Sequence, residues 1–83
     1  MDIKVFSNTR RLKLIVCLSK PHSVSQLLDR CDLSQSALSQ HLAKLKDAGI
    51  ITCQRNGNMQ IYTVVNKKIV TIAKSLLNLI HRK

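Results

Sequence analysis

The sequence contains no glutamate and no tryptophan, one proline, two glycines and only two aromatic residues, Phe6 and Tyr62. Each shortage excludes something. Four aspartates are its only acidic side chains. No paired carboxylates and no nucleophile–base spacing emerge from them, so the chain is read as a non-enzyme. Two glycines cannot build a loop that cradles phosphate, and no cofactor is expected. Scarce aromatics leave Leu, Ile and Val to form the core, which suits helices packed through aliphatic ridges. No run of about 18 apolar residues occurs, so no membrane span is expected. Leu14–Leu18 follows basic residues but is too short for a signal-peptide core, and no cleavage pattern follows. A cytoplasmic location is the expectation. The three cysteines, Cys17, Cys31 and Cys53, are irregularly spaced, which argues against a disulfide framework.

What is present is positive charge. Fourteen Lys and Arg against four acids give a formal charge of +10 on 83 residues. Such imbalance repels itself in a folded domain and is most readily understood if the partner is a polyanion. The length fits one domain, residues 1–83. A chain this short buries only about 60–65% of its unfolded surface, so a lone monomer is marginally stable.

The rest of the chain is organised around Leu33 to Gly49, which reads as a helix. Leu38, Leu42 and Leu45 recur at helical spacing and turn inward together. Gln35, Ser36, Ser39 and Gln40 point the other way. Their side chains are short, uncharged and able both to donate and to accept hydrogen bonds. A solvated face usually carries Lys and Glu instead. A Gln/Ser face ahead of Lys44 and Lys46 fits a groove lined by base edges and flanked by phosphates.

The flanking segments read as support. Met1–Ser7 is a helical or irregular lead-in, with Ile3, Val5 and Phe6 available for packing. Asn8 or Thr9 caps a helix running to about Ser19, with Leu12, Ile15, Val16 and Leu18 inward and Arg10, Arg11 and Lys13 outside. Lys20-Pro21 ends it. Ser23 and Gln26 have capping-box spacing and open a short helix, with Val24, Leu27 and Leu28 inward. Ser34 caps the Gln/Ser helix, and Gly49 terminates it. The pair makes a helix-turn-helix. Ile50–Gln54 and Met59–Val65 read as strands joined through Arg55-Asn56-Gly57-Asn58, a hairpin wing carrying the Asn-Gly signal, with Arg55 near its tip. Asn66 caps a closing helix to about Arg82. Ile69, Ile72, Ala73, Leu76, Leu79 and Ile80 form its stripe, widened by Val70 and Leu77. That is more apolar width than one small core needs, and the surplus is expected to meet a second copy in a homodimer. Lys67 and Lys68 stand in its first turn, where the helix dipole disfavours cations. Nearby phosphates would explain them.

This order of elements is similar to the ArsR-type winged-helix repressors. The resemblance rests on LSQSALSQHLAKLKDAGII, Leu33 to Ile51, together with Arg11-Leu12, Gly57 and Tyr62. It covers roughly residues 8 to 65. It implies a mainly α fold with a small β-hairpin wing, and a dimeric transcription factor paired through terminal helices on a near-palindromic operator. The chain departs from the metal-sensing members of that family. Cys31 stands alone beside Asp32, no carboxylate follows Asp47, and the closing helix holds only His81 as a ligand type. No metal site is expected. The cysteines read as small hydrophobes, with a redox switch, which needs two thiols within disulfide reach, kept as the lesser alternative.

The expected function is therefore duplex-DNA binding by a transcriptional regulator, a repressor by occupancy. Gln35, Ser36, Ser39 and Gln40 would read bases, while Ser34, Lys44, Arg55, Arg11 and Lys13 would hold the backbone. His41, near the inward edge of the helix, is expected to be buried or hydrogen-bonded rather than in base contact. His22 reads as a loop residue. Release would need a protein or small-molecule effector that the sequence does not identify. The rival readings are a winged-helix module for protein or RNA contact, and a membrane-surface role for the basic closing helix.

Overall fold

Local chemistry opens each helix. The structure, a computed structural model, describes residues 3–81. A 3-10 turn spans Ile3–Ser7. Asn8 then accepts from the amides of Arg10 and Arg11 at 2.9 and 3.2 Å, starting α1, Thr9–Cys17. Ser23 and Gln26 form a reciprocal capping box at the head of α2, Val24–Arg30. Ser34 accepts from the Ala37 amide at 3.1 Å and opens α3, Gln35–Asp47. Asn66 does the same for the Lys68 amide at 2.8 Å, at the start of α4, Lys67–His81. Met1, Asp2 and Arg82, parts of the expected lead-in and closing helix, lie outside the described residues, as do the side chains of Ile3, Val5 and His81.

The end of α3 is equally explicit. Ala48 is its C-cap, and Gly49 follows at φ +76°. The Gly49 amide donates to the Lys46 carbonyl and the Ile50 amide to the Leu45 carbonyl, each at 3.0 Å. This is a Schellman closure, and the side chains it brings together, Leu45 and Ile50, are both fully buried. The chain leaves the helix directly into β2, Ile51–Asn56, which pairs antiparallel with β3, Met59–Val64.

Two features of the sheet differ from the sequence reading. His22 and Ser23 form a two-residue strand, β1, rather than a loop. They pair with Tyr62 and Ile61 and give the sheet order β1-β3-β2. His22 is buried, and its Nδ1 lies 2.8 Å from the Lys20 carbonyl. The hairpin turn is also one residue further on. Asn56 pairs with Met59 inside the ladder, leaving Gly57 and Asn58 as the loop. Gly57 has φ +63°, and Asn58 has no positive φ. Glycine at the first central position is the requirement of a II′-type turn.

The core is aliphatic throughout. Leu12, Leu14, Ile15 and Leu18 of the first helical segment meet Leu27, Leu38, Leu45 and Ile50, all fully buried. Leu14 was not among the expected inward residues, while Val16 is only half-buried. α1 packs against both α4 and the 3-10 turn, so more than one stripe of it is covered. It stops at Cys17, two residues before Ser19. The carbonyl of Leu18 then accepts from the Val64 amide at 2.9 Å, joining helix to sheet.

α4 divides along its length. Ile69, Val70 and Ala73 are buried in the chain's own core, and Leu76 and Leu77 are half-buried. Ile72, Leu79 and Ile80 stand 49%, 63% and 53% exposed. Ile69 and Ala73 are therefore spent on the monomer, in which α4 packs against α1. The surface open to a partner narrows to the outer edge and the distal turns. Lys67 donates its ammonium to the Ser19 carbonyl. It complements the carbonyl end of α1, which accounts for a cation at that position without any phosphate.

Candidate nucleic-acid interface

α3 is held by one edge. Leu38 and Leu45 are completely buried and Leu42 nearly so, which turns the intervening positions outward. Gln35, Ser36, Ser39 and Gln40 are all exposed. The face is continuous and free of charge along two turns, and Lys44 and Lys46 follow it, both exposed. Ser34 spends an oxygen lone pair on its cap but keeps its hydroxyl proton for donation.

The backbone candidates fall into separate places. Arg55 is exposed on β2, paired in register with Gln60. Arg11 is half-buried, and its Nη2 donates to the Lys4 carbonyl at 3.4 Å. Lys13 is exposed but borders a different cavity of about 540 Å³, shared with Arg10, Arg30, Cys17, Cys31 and Leu77. None of the four Gln/Ser positions lines that cavity. Lys13 is thus on the side of α1 turned toward α4, apart from the α3 face.

His41 is half-buried on α3, within the field of Arg10 and Arg11 at the start of α1. Burial, followed by the charges of Arg11, Lys44 and Arg10, lowers its pKa from the ordinary 6.5. A cationic corner therefore stands beside the Gln/Ser face, and the imidazole within it is kept neutral.

Cys31 is not isolated. Its side chain meets that of Cys17 across the α1–α2 boundary, a contact that sequence spacing did not disclose. Burial first, and then Cys17, raises its pKa. The sulfur is held as a thiol, so it is a poor nucleophile. All three cysteines are unpaired and half-buried. Among the described residues no group of three His, Cys or acidic side chains could hold a metal. Among the same residues no helix is long and apolar enough to cross a membrane.

Sequence reasoning missed part of this surface. A second cleft, of about 330 Å³, separates α3 from β3 and is lined by Gln35, Ser39, Lys46, Gln60 and Tyr62 among others. The signal was present. Gln60 and Tyr62 alternate on one face of a strand, and Lys46 lies three turns along the helix from Gln35 on the same edge. The Tyr62 hydroxyl donates to Gln60 Oε1 at 3.2 Å. Burial, and then Cys53, raise the Tyr62 pKa above 10.0.

Comparison with known proteins follows the same outline. The family model for the bacterial regulatory proteins of the arsR family matches residues 8–52. The chain is 36% identical over 81 residues to the transcriptional activator HlyU of Vibrio cholerae, covering 96% of this chain and 71% of that protein. It is 37% identical over 79 residues to the HTH-type transcriptional regulator YgaV of Escherichia coli, covering 92% and 79%. The solved structure of reduced HlyU from Vibrio cholerae superimposes with a TM-score of 0.79 at 33% identity, covering 98% of this chain and 85% of that one.

Proposed function

The chain belongs to the ArsR family of bacterial regulatory proteins, a DNA-binding winged helix-turn-helix regulator, and from that premise we propose that it is a sequence-specific repressor acting as a homodimer on a near-palindromic operator. One observation carries the reading. The four Gln and Ser side chains of α3 form an exposed uncharged face beside cations, the composition that base edges between phosphates require. Gln35, Ser36, Ser39 and Gln40 read the major groove. Gln suits adenine, through its N6 and N7, and Ser accepts several bases. Ser34, Lys44 and Arg55 hold the backbone, with Arg11 behind them.

The homodimer is supported by the apolar residues that α4 leaves outside the core, Ile72, Leu79 and Ile80. Two copies paired there set two α3 helices about 34 Å apart, in successive major grooves. Repression follows from occupancy, by excluding polymerase. One relative is named a transcriptional activator, and an operator lying beside the promoter instead of across it would turn the same occupancy into activation.

Selection from a pool of random duplexes tests the whole reading. The expected product is an inverted repeat with half-sites one helical turn apart. A pool that shows no enrichment, or a protein that prefers single-stranded RNA to every duplex, would overturn it.

A further inference from the structure

The cleft between α3 and β3 has a chemistry of its own. Its volume is about 330 Å³. Lys46, Ser39 and Gln35 form the helix wall, Gln60 and Tyr62 the wing wall, and Leu42 lies at its base. No carboxylate lines it.

The wing wall is organised as a donor. The Tyr62 hydroxyl gives its proton to Gln60 Oε1, which holds the amide oxygen toward Tyr62 and leaves the two Nε2 protons for another acceptor. Tyr62 keeps that proton, since burial holds its pKa above the ordinary phenol value. Arg55 is the register partner of Gln60 and therefore shares its face of the hairpin. The opposite wall supplies a cation, the exposed Lys46. A cation facing a fixed neutral donor, with no acid between them, is a site for a mono-anionic oxygen group.

Groove geometry identifies the occupant. With α3 in the major groove as proposed, the hairpin beside it faces the sugar–phosphate strand that borders that groove. That strand then lies at the mouth of the α3–β3 cleft. We propose that the α3–β3 cleft seats a phosphodiester of this bordering strand, gripped by Lys46 from the helix and Gln60 from the wing, with Tyr62 as the positioning residue that aims the amide. The proposal rests on the duplex-binding reading above and adds to it a clamp that fixes the angle between helix and wing on the DNA. Lys46 and Gln60 supply register, not sequence preference.

The test uses the full chain on the duplex selected from the random pool and on bulk DNA, across a salt series. Lys46→Ala is expected to reduce the magnitude of the slope of log K against log salt by about 0.9 per bound chain, the value of one lost phosphate contact. Gln60→Ala is expected to weaken binding about tenfold on both DNAs with the slope unchanged, because the lost donor is neutral. Tyr62→Phe is expected to weaken binding less, and to add nothing in the Gln60→Ala background, the non-additivity of one residue acting through another. Ethylation of a single phosphate per half-site should impair the wild-type chain and leave Lys46→Ala no weaker than before. A wild-type chain that selects a duplex while Lys46→Ala retains its slope and its ethylation pattern overturns the clamp alone. A chain that binds no duplex overturns the clamp and the operator reading together.

Discussion

The Thr63 hydroxyl donates to the carbonyl oxygen of Leu18 at 3.2 Å, on the same oxygen that accepts from the Val64 amide at 2.9 Å. One carbonyl at the end of α1 thus anchors the root of the wing by two bonds. Thr63→Val removes one of them and keeps the side-chain volume. The expected cost is about 1 kcal/mol, a fall in Tm of roughly 4–8 °C for a domain of this size. The DNA salt slope should not change. A thermal midpoint equal to that of the wild type would show that the Val64 bond alone suffices.

Gln40 and Arg55 are expected to fail in different ways. Gln40→Ala should cost about 1–3 kcal/mol on the selected duplex and almost nothing on bulk DNA. Arg55→Ala should weaken both alike and flatten the salt dependence by about 0.9. Competition binding at several salt concentrations separates the two, and equal losses on every DNA for Gln40→Ala would remove its reading role.

The exposed edge of α4 can be tested without touching the core. Ile72→Glu combined with Leu79→Glu places charge where two copies would meet, at positions the monomer leaves about half exposed or more. Sedimentation is expected to show a dimer for the wild type and a folded monomer for the double variant. Ala73→Glu, by contrast, should unfold the chain, because Ala73 is completely buried. An unchanged mass for the double variant would place the interface elsewhere.

His41 links stability to pH. Its folded pKa lies below the ordinary 6.5, through burial and then through Arg11, Lys44 and Arg10. Between the folded value and 6.5 the unfolded chain binds more protons. Stability therefore rises with pH across that window and is lost as pH falls below 6.5. Denaturant midpoints from pH 5 to 8 should show this, and His41→Gln should flatten the curve. An NMR midpoint above 6.5 for His41 would reverse the sign.

Cys31 should be a slow nucleophile. Its pKa is raised above 9.0, by burial and then by Cys17, so alkylation by iodoacetamide at pH 7 should lag behind that of a cysteine in a short peptide. The rate should climb as pH passes 9. Labelling as fast as the free thiol would contradict the protonated state.

Much of this architecture was legible because its determinants are local. The Ser23–Gln26 capping box, the Asn66 cap, the Leu38/Leu42/Leu45 edge and the Gly49 terminator each act within a turn or two of chain, where spacing is a sufficient signal. What escaped depends on partners distant in sequence. β1 is two residues long and exists only because Tyr62 and Ile61 pair with it. The turn at Gly57-Asn58 is displaced from the Asn-Gly dipeptide because the ladder keeps Asn56 in register with Met59. Ile69 and Ile72 look equivalent in a helical stripe, yet one is buried in the core and the other is half exposed. The Cys17–Cys31 contact joins two helices whose approach no periodicity encodes. The Lys46–Gln60 cleft belongs to the same class, since its walls come from a helix and a strand on either side of β2 in sequence.

The brevity of β1 has a mechanical result. It supports β3 only at Ile61 and Tyr62, so the hairpin from Gln60 and Arg55 to its tip is a two-stranded cantilever whose residues are all exposed. A ribbon so mounted can flex and twist about its root while the aliphatic interior stays still. In the proposed complex the outer arm would adapt its angle to the duplex, the compliance residing in a few exposed ladder bonds instead of in the packing that keeps the domain folded.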